Sequence, residues 1–308
     1  MKKIICVVGP TASGKTRLAV ELAKYLDGEV LSCDSMQIYR GMDIGTAKPD
    51  LQEMQGIVHH MIDVVDPAEP FSVSRYVEMA DPMVQDILGR GKTCVICGGT
   101  GLYVDALIAG RSFAPFPETG RREMLEALAD REGIEAVMEL LRQADPDSAA
   151  RLHLSDRRRI IRAVEVWQET GKTITQHNLE TQAIAPKYSP LWIGLDFACR
   201  QDLYDRIDLR VDQMMEHGLL EEIRGLLEQG TPPTATSLQA IGYKEPMAAL
   251  RGEISMEQAV GKIKQESRRY AKRQLTWFRR NGQIRWIQQS APLSFDDTWN
   301  RAVTLLEL

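Results

Sequence analysis

The run Gly9-Pro10-Thr11-Ala12-Ser13-Gly14-Lys15-Thr16 fits the spacing G-x-x-x-x-G-K-[ST], and that spacing dictates the backbone on both sides of it. Ahead of it, Lys3-Ile4-Ile5-Cys6-Val7-Val8 is short, apolar and rich in β-branched residues, which reads as a strand. Behind it, Leu18, Leu22 and Leu26 recur every four residues with Ala19 and Ala23 beside them. That is the stripe of an amphipathic helix, stopped by Asp27-Gly28. Strand, tight turn and helix N-terminus together cradle an anion: backbone N–H groups point at it and the helix dipole favours its charge. Lys15 is then placed for phosphate oxygens and the Thr16 hydroxyl for Mg²⁺. The loop identifies a phosphate and leaves open what carries it.

The following segments give the fold class. Glu29 to Cys33 reads as a second strand, Ser72 to Leu88 as a helix, Gly91 to Cys97 as a third strand, and Leu191 to Asp196 as a strand returning to the same sheet. The expected class is α/β, a P-loop NTPase-like parallel sheet flanked by helices. Between Ser112 and Pro117 the texture changes. Pro115 and Pro117 break the chain, and from Arg121 to about Gly171 it reads almost entirely as helix, with Ala183 to Pro190 as a linker. This places a first part of the core at 1–115, an inserted all-helical domain at 116–185, and a return to the core with a basic helical region at 186–308. No stretch approaches the ~18 apolar residues of a membrane span. A first strand at about Lys3 leaves no room ahead of it for a signal peptide, so a cytoplasmic protein is expected.

Cysteine usage excludes some chemistry. Cys94 and Cys97 have C-x-x-C spacing but lie in an apolar run, and on a strand positions three apart face opposite sides. With no second such pair and no histidine cluster beside them, all five cysteines are expected to be buried free thiols. His59 and His60 are adjacent, point apart on either a strand or a helix, and are expected to be structural.

Several positions are candidates for function. Asp34 stands at the end of the second strand, and ligands of open α/β sheets bind at the carboxyl ends of strands; a loop Asp is equally a turn former or a helix cap. The third strand ends in Gly98-Gly99-Thr100-Gly101, where an ATPase commonly places a Mg²⁺-holding Asp; the glycines suggest close backbone approach to a ligand. Arg158 and Arg162 share a polar face of a helix whose apolar face is Ile160, Ile161, Val164 and Trp167, a solvated face or an RNA contact. Arg206 and Arg210, four apart, can clamp a polyphosphate or pair with Asp202 and Asp205. From Lys262 to Arg285 there are nine Lys or Arg and one Glu, net +8 on a chain of net −5, so the remainder stands at −13. Tyr270, Trp277 and Phe278 are interleaved with these cations, a footprint suited to RNA.

At this point the chain resembles a known family, the bacterial tRNA dimethylallyltransferases, over nearly its whole length. GPTASGKT at 9–16, DSMQIYRGMDIGTAKP at 34–49, GGTGLY at 98–103, DRRRIIRA at 156–163, RIDLRVDQM at 206–214, QAIGYK at 239–244 and RRYAKRQLTWFR at 268–279 stand in the family's order. The resemblance implies prenyl transfer from dimethylallyl pyrophosphate to N6 of the adenosine 3′ of the anticodon (position 37) in tRNA. The donor's diphosphate would lie in the loop from Gly9 to Thr16, helped by Arg206, with Mg²⁺ on Thr16. Asp34, Thr100 and Arg210 would be the catalytic residues, with Asp34 the base. The tRNA would meet Asp34, Ser35, Met36, Gln37 and Thr100; Arg158, Arg159, Ile160, Ile161 and Arg162; and Gln239, Ala240, Ile241, Gly242, Tyr243 and Lys244. Arg268, Lys272 and Arg273 would hold its phosphates, and the helical insertion would grip the anticodon stem-loop. The implied partners are tRNA and dimethylallyl pyrophosphate, with no membrane and a monomeric enzyme.

Two other classes share parts of this pattern. An ATP-dependent small-molecule kinase shares the loop and Mg²⁺ but gives the basic aromatic stripe no role. A nucleotide-switched RNA-binding protein keeps the stripe but gives Asp34 no chemistry.

Overall fold

A computed structural model of the chain describes residues 3–111, 119–182 and 185–306. Its contacts divide it into two compact units, Met1–Gly110 with Lys187–Leu308, and Arg111–Pro186. The proline-marked break at 115 and 117 lies outside the described residues, as do residues 183 and 184 of the linker.

The first unit begins β1 (Ile4–Val8), α1 (Lys15–Tyr25), β2 (Gly28–Ser32), α2 (Leu51–Met54), β3 (His59–His60), α3 (Val73–Gly89), β4 (Thr93–Gly98) and α4 (Gly101–Ala109). The second unit is α5 (Arg121–Glu132), α6 (Ile134–Ala144), α7 (Pro146–Arg151), α8 (Arg157–Thr170) and α9 (Ile174–Gln182). The first unit resumes with β5 (Leu191–Phe197), α10 (Arg200–Glu216), α11 (Leu219–Glu228), α12 (Lys244–Leu250), α13 (Met256–Phe278), β6 (Arg285–Gln289) and α14 (Phe295–Leu305).

All pairings in the sheet are parallel, in the order β3-β2-β4-β1-β5-β6. Central strands β1, β2 and β4 are buried along their whole length, which is why they read as apolar runs rather than as alternation. Leu18, Leu22 and Ala23 of α1 and Ala302 of α14 close one core over the sheet with Ile5, Val7, Val95 and Ile193.

Sequence reading missed β3, which makes the Gly91 to Cys97 run the fourth strand. His59 and His60 form this two-residue edge, paired to Val30 and Leu31. His60 Nε2 lies 2.7 Å from Glu29 Oε2. Arg90 and Lys92 complete an ion cluster on Glu29; the Arg90 hydrogen bonds chiefly hold that carboxyl far below its ordinary range. Cys6, Cys33, Cys94 and Cys97 are buried free thiols, as expected, whereas Cys199 is exposed.

The second unit has its own core, made of Leu125, Val137, Leu141, Ile160, Ile161 and Val164. Both isoleucines of α8 belong to it: Ile160 is fully buried and Ile161 nearly so. Their expected contact with tRNA is therefore corrected, since helical spacing turns them inward while Arg158 and Arg159 face solvent. Arg162 is held by Glu165 at 2.7 Å.

Candidate active site

In the sheet, β1 lies between β4 and β5, and β4 between β2 and β1. The loops leaving the carboxyl ends of β1, β2 and β4 therefore stand side by side, as expected where the order of an open sheet switches. They frame a cavity of about 270 Å³. Thr11, Lys15 and Thr16 line it from the first loop, Asp34 to Gln37 from the second, and Gly98 and Gly99 from the third. Gly9, Pro10, Ala12, Ser13 and Gly14 shape the first loop without lining the cavity.

Lys15 Nζ donates to the Pro10 carbonyl at 2.5 Å. Burial pushes its ammonium down to about 8, because a cation loses hydration there. On α10, Arg210 donates to Thr11 Oγ1 at 3.5 Å and to the Ala47 carbonyl at 3.4 Å. Burial lowers its pKa as well, with Arg206 adding like charge and Asp34 opposing. Among the described residues no carboxylate is hydrogen-bonded to either cation, so this end of the cavity is prepared for an anion. Arg206 does something different. Its Nε donates to the Ala12 carbonyl at 2.9 Å, so it braces the loop from behind and does not line the cavity. Asp202 and Asp205 bond elsewhere, to the Ala291 N–H and to Gln201.

Asp34 is both a turn former and a cavity residue. Its Oδ1 accepts the N–H groups of Met36 at 2.8 Å and Gln37 at 3.4 Å. Among the described residues no hydrogen bond to Oδ2 is present. Thr100 is the N-cap residue of α4, but its side chain makes no capping bond. Its hydroxyl instead accepts the Ser35 N–H at 3.1 Å, tying the end of β4 to the Asp34 turn.

The glycines after β4 also let α13 pack closely. A Cβ on Gly99 would lie 2.0 Å from Gln274 Nε2, and one on Gly101 2.2 Å from the Trp277 ring. Gly98 and Gly99 also line the cavity, so the packing of α13 is added to the close ligand approach expected there. Residues 263, 267, 270 and 274 of α13 line the cavity. Trp277 donates to Asp105 at 2.8 Å, and Phe278 is buried. The aromatic residues are thus not a surface stacking platform, because steps of seven and eight residues set them on the inner side of the helix. Burial and the nearby Asp34 charge push the Tyr270 phenol up to about 12. Lys272 and Arg273 are exposed, whereas Arg268 is bound to Asp208 at 2.5 Å.

Ala240, Ile241, Gly242 and Tyr243 line the cavity from the segment before α12, while Gln239 and Lys244 are exposed. Tyr243 is completely buried, so direct contact of its side chain with tRNA is corrected. Its hydroxyl donates to Glu222 at 2.6 Å. Glu222 also accepts the N–H groups of Asp43, Ile44 and Gly45 at 2.9, 2.7 and 3.1 Å. One carboxylate on α11 therefore joins two separate motifs. It belongs to neither, and its partners are far away in sequence, so no local pattern reveals it.

The donor set suits Mg²⁺ rather than a softer ion. Thr16 and Asp34 offer hard oxygens at the cavity wall, and Mg²⁺ is ordinarily held by one or two protein oxygens plus phosphate and water. Among the described residues no cluster of three or more His, Cys, Asp or Glu could hold a metal, and no helix is long and apolar enough to cross a membrane.

Comparison with known proteins places this arrangement. A family model described as IPP transferase matches residues 37–281, and one described as isopentenyl transferase matches residues 2–65. The tRNA dimethylallyltransferase of Caldanaerobacter subterraneus subsp. tengcongensis is 49% identical over 287 residues, covering 92% of this chain and 91% of that protein. The tRNA dimethylallyltransferase 2 of Geotalea daltonii is 45% identical over 305 residues, covering 99% and 93%. The crystal structure of the full-length tRNA isopentenylpyrophosphate transferase of Bacillus halodurans superposes with a TM-score of 0.75 at 42% identity, covering 100% of this chain and 96% of that one. A eukaryotic dimethylallyltransferase acting on tRNA superposes with a TM-score of 0.83 at 30% identity, covering 98% and 78%.

Proposed function

The chain belongs to the IPP transferase family, and we propose that it transfers the dimethylallyl group of dimethylallyl pyrophosphate to N6 of the adenosine 3′ of the anticodon in tRNA. One observation carries the residue assignments: Lys15 and Arg210, which among the described residues have no carboxylate hydrogen bond, stand in the same cavity as Asp34, of which Oδ1 alone is engaged by those residues.

In the step proposed, the N6 lone pair forms a bond to C1 of the dimethylallyl group, the C1–O bond breaks, and pyrophosphate leaves with the electron pair. Lys15, Arg210 and backbone amides of the loop meet the charge that grows on the leaving oxygens. One preorganised contact of this kind contributes roughly 10²–10³ in rate. N6 becomes acidic as it bonds to carbon, and its proton passes to Asp34. The Oδ1 bonds to Met36 and Gln37 fix the carboxylate for that transfer, and Thr100 holds the turn through Ser35. Mg²⁺ would be held by Thr16, and when bound it would neutralise diphosphate charge. Arg206 steadies the loop carbonyl at Ala12.

The adenine has to leave the anticodon-loop stack to reach this cavity, so base flipping is part of the proposal. Ser35, Met36, Gln37, Ala240 and Ile241 would receive it. The exposed Arg158, Arg159, Lys272 and Arg273 would take phosphates, with the helical unit on the anticodon stem-loop. A tRNA substrate fits a cytoplasmic enzyme, and the same reading takes it to act as a monomer. Arg210→Ala tests the assignment: kcat is expected to fall about 10²–10³-fold, and unchanged kcat in steady-state assays removes Arg210 from the leaving-group site.

A further inference from the structure

We propose that Gln274 is a positioning residue of the transfer reaction, setting the phosphate-binding loop before any ligand arrives. The inference rests on reading that loop as the diphosphate site. Gln274 is 5% exposed, and both ends of its amide are engaged far from it in sequence. Oε1 accepts the Thr11 N–H of the loop after β1 at 2.9 Å. Nε2 donates to the Gly99 carbonyl after β4 at 3.0 Å. A side chain at Gly99 would occupy the place of this amide.

The two loops bridged are the ones that border the phosphate end of the cavity. A neutral amide is the one side chain of this size that accepts from one backbone and donates to the other without adding negative charge beside an anion. Thr11 is also the residue that Arg210 reaches. Fixing its N–H therefore fixes a hydroxyl in the cation pair's surroundings. Lys272 and Arg273 immediately precede Gln274 and are exposed, so a single helix carries cations outward and the loop brace inward.

The test uses the full-length protein and inorganic pyrophosphate with Mg²⁺ as the probe. By calorimetry, Gln274→Met is expected to bind pyrophosphate about ten-fold more weakly, the scale of an unmade buried hydrogen bond. Hydrogen exchange over residues 9–16 should quicken, while tRNA affinity in a filter-binding assay stays within about two-fold. A packing role alone would leave pyrophosphate affinity and loop exchange untouched in the folded variant. Wild-type pyrophosphate affinity in Gln274→Met overturns the inference and leaves the diphosphate reading standing. Failure of the wild type to bind pyrophosphate overturns that reading, and this inference with it. If Gln274→Met does not fold, amide-resolved exchange on the free wild type decides. Protection of the Thr11 amide without ligand is expected, and rapid exchange there overturns the proposal.

Discussion

Lys15 carries the proton that is easiest to follow. Burial brings its pKa from 10.5 down to about 8. The unfolded chain therefore binds more protons than the folded one between those values, and this group's contribution to stability rises with pH across that window. A diphosphate reverses the preference, because it favours the charged amine. Affinity for pyrophosphate should thus weaken as pH rises past 8, and binding at pH 8.5 should take up a proton. Calorimetry in buffers of different ionisation enthalpy measures that uptake; an equal uptake by Lys15→Met would assign it elsewhere. Asp34 makes the complementary case. Asp34→Asn keeps an oxygen for the Met36 N–H but cannot take a proton, so kcat should fall about 10²–10⁴-fold while pyrophosphate affinity changes little. Near-normal single-turnover rates in that variant would take the base role away from it.

Helices α8 and α13 each separate an inner from an outer face, and the two faces answer different measurements. Ile160→Ala should destabilise the helical unit by about 2–5 kcal/mol in denaturant unfolding, because its side chain is wholly in that unit's core. Arg158→Ala with Arg159→Ala should leave unfolding unchanged and weaken tRNA binding. On α13, Lys272→Ala and Arg273→Ala should each reduce the slope of log affinity against log salt by about one; an unaltered slope denies them phosphate contacts. These faces also mark what the sequence could tell. The phosphate loop and the buried parallel strands are local patterns, legible from periodicity and spacing. The charge count of α13 is legible too, but the interleaving of Trp277 and Phe278 with its cations does not reveal that both pack inward. Glu222 and Gln274 carry no local signal, since the backbone groups they bond lie 177 to 179 and 175 to 263 residues away.

At the scale of the whole chain, one cavity collects residues from the first loop to α13, and the account stands or falls on what enters it. Glu222 holds its acceptor side through Asp43, Ile44, Gly45 and Tyr243. Glu222→Ala should raise KM for tRNA by about ten-fold or more, since removing it leaves several backbone donors unmet; an unchanged KM would mean the loop holds itself. The central claim, prenyl transfer to adenosine, has a more direct test. The purified protein is incubated with Mg²⁺, tRNA lacking modification at the adenosine 3′ of the anticodon, and dimethylallyl pyrophosphate, with ATP replacing the prenyl donor in a parallel reaction. The tRNA is then digested and its nucleosides weighed by mass spectrometry. The account predicts adenosine heavier by one C5H8 unit with the prenyl donor and no product from ATP. Unmodified adenosine with the prenyl donor present, together with ATP consumed in the parallel reaction, would contradict it.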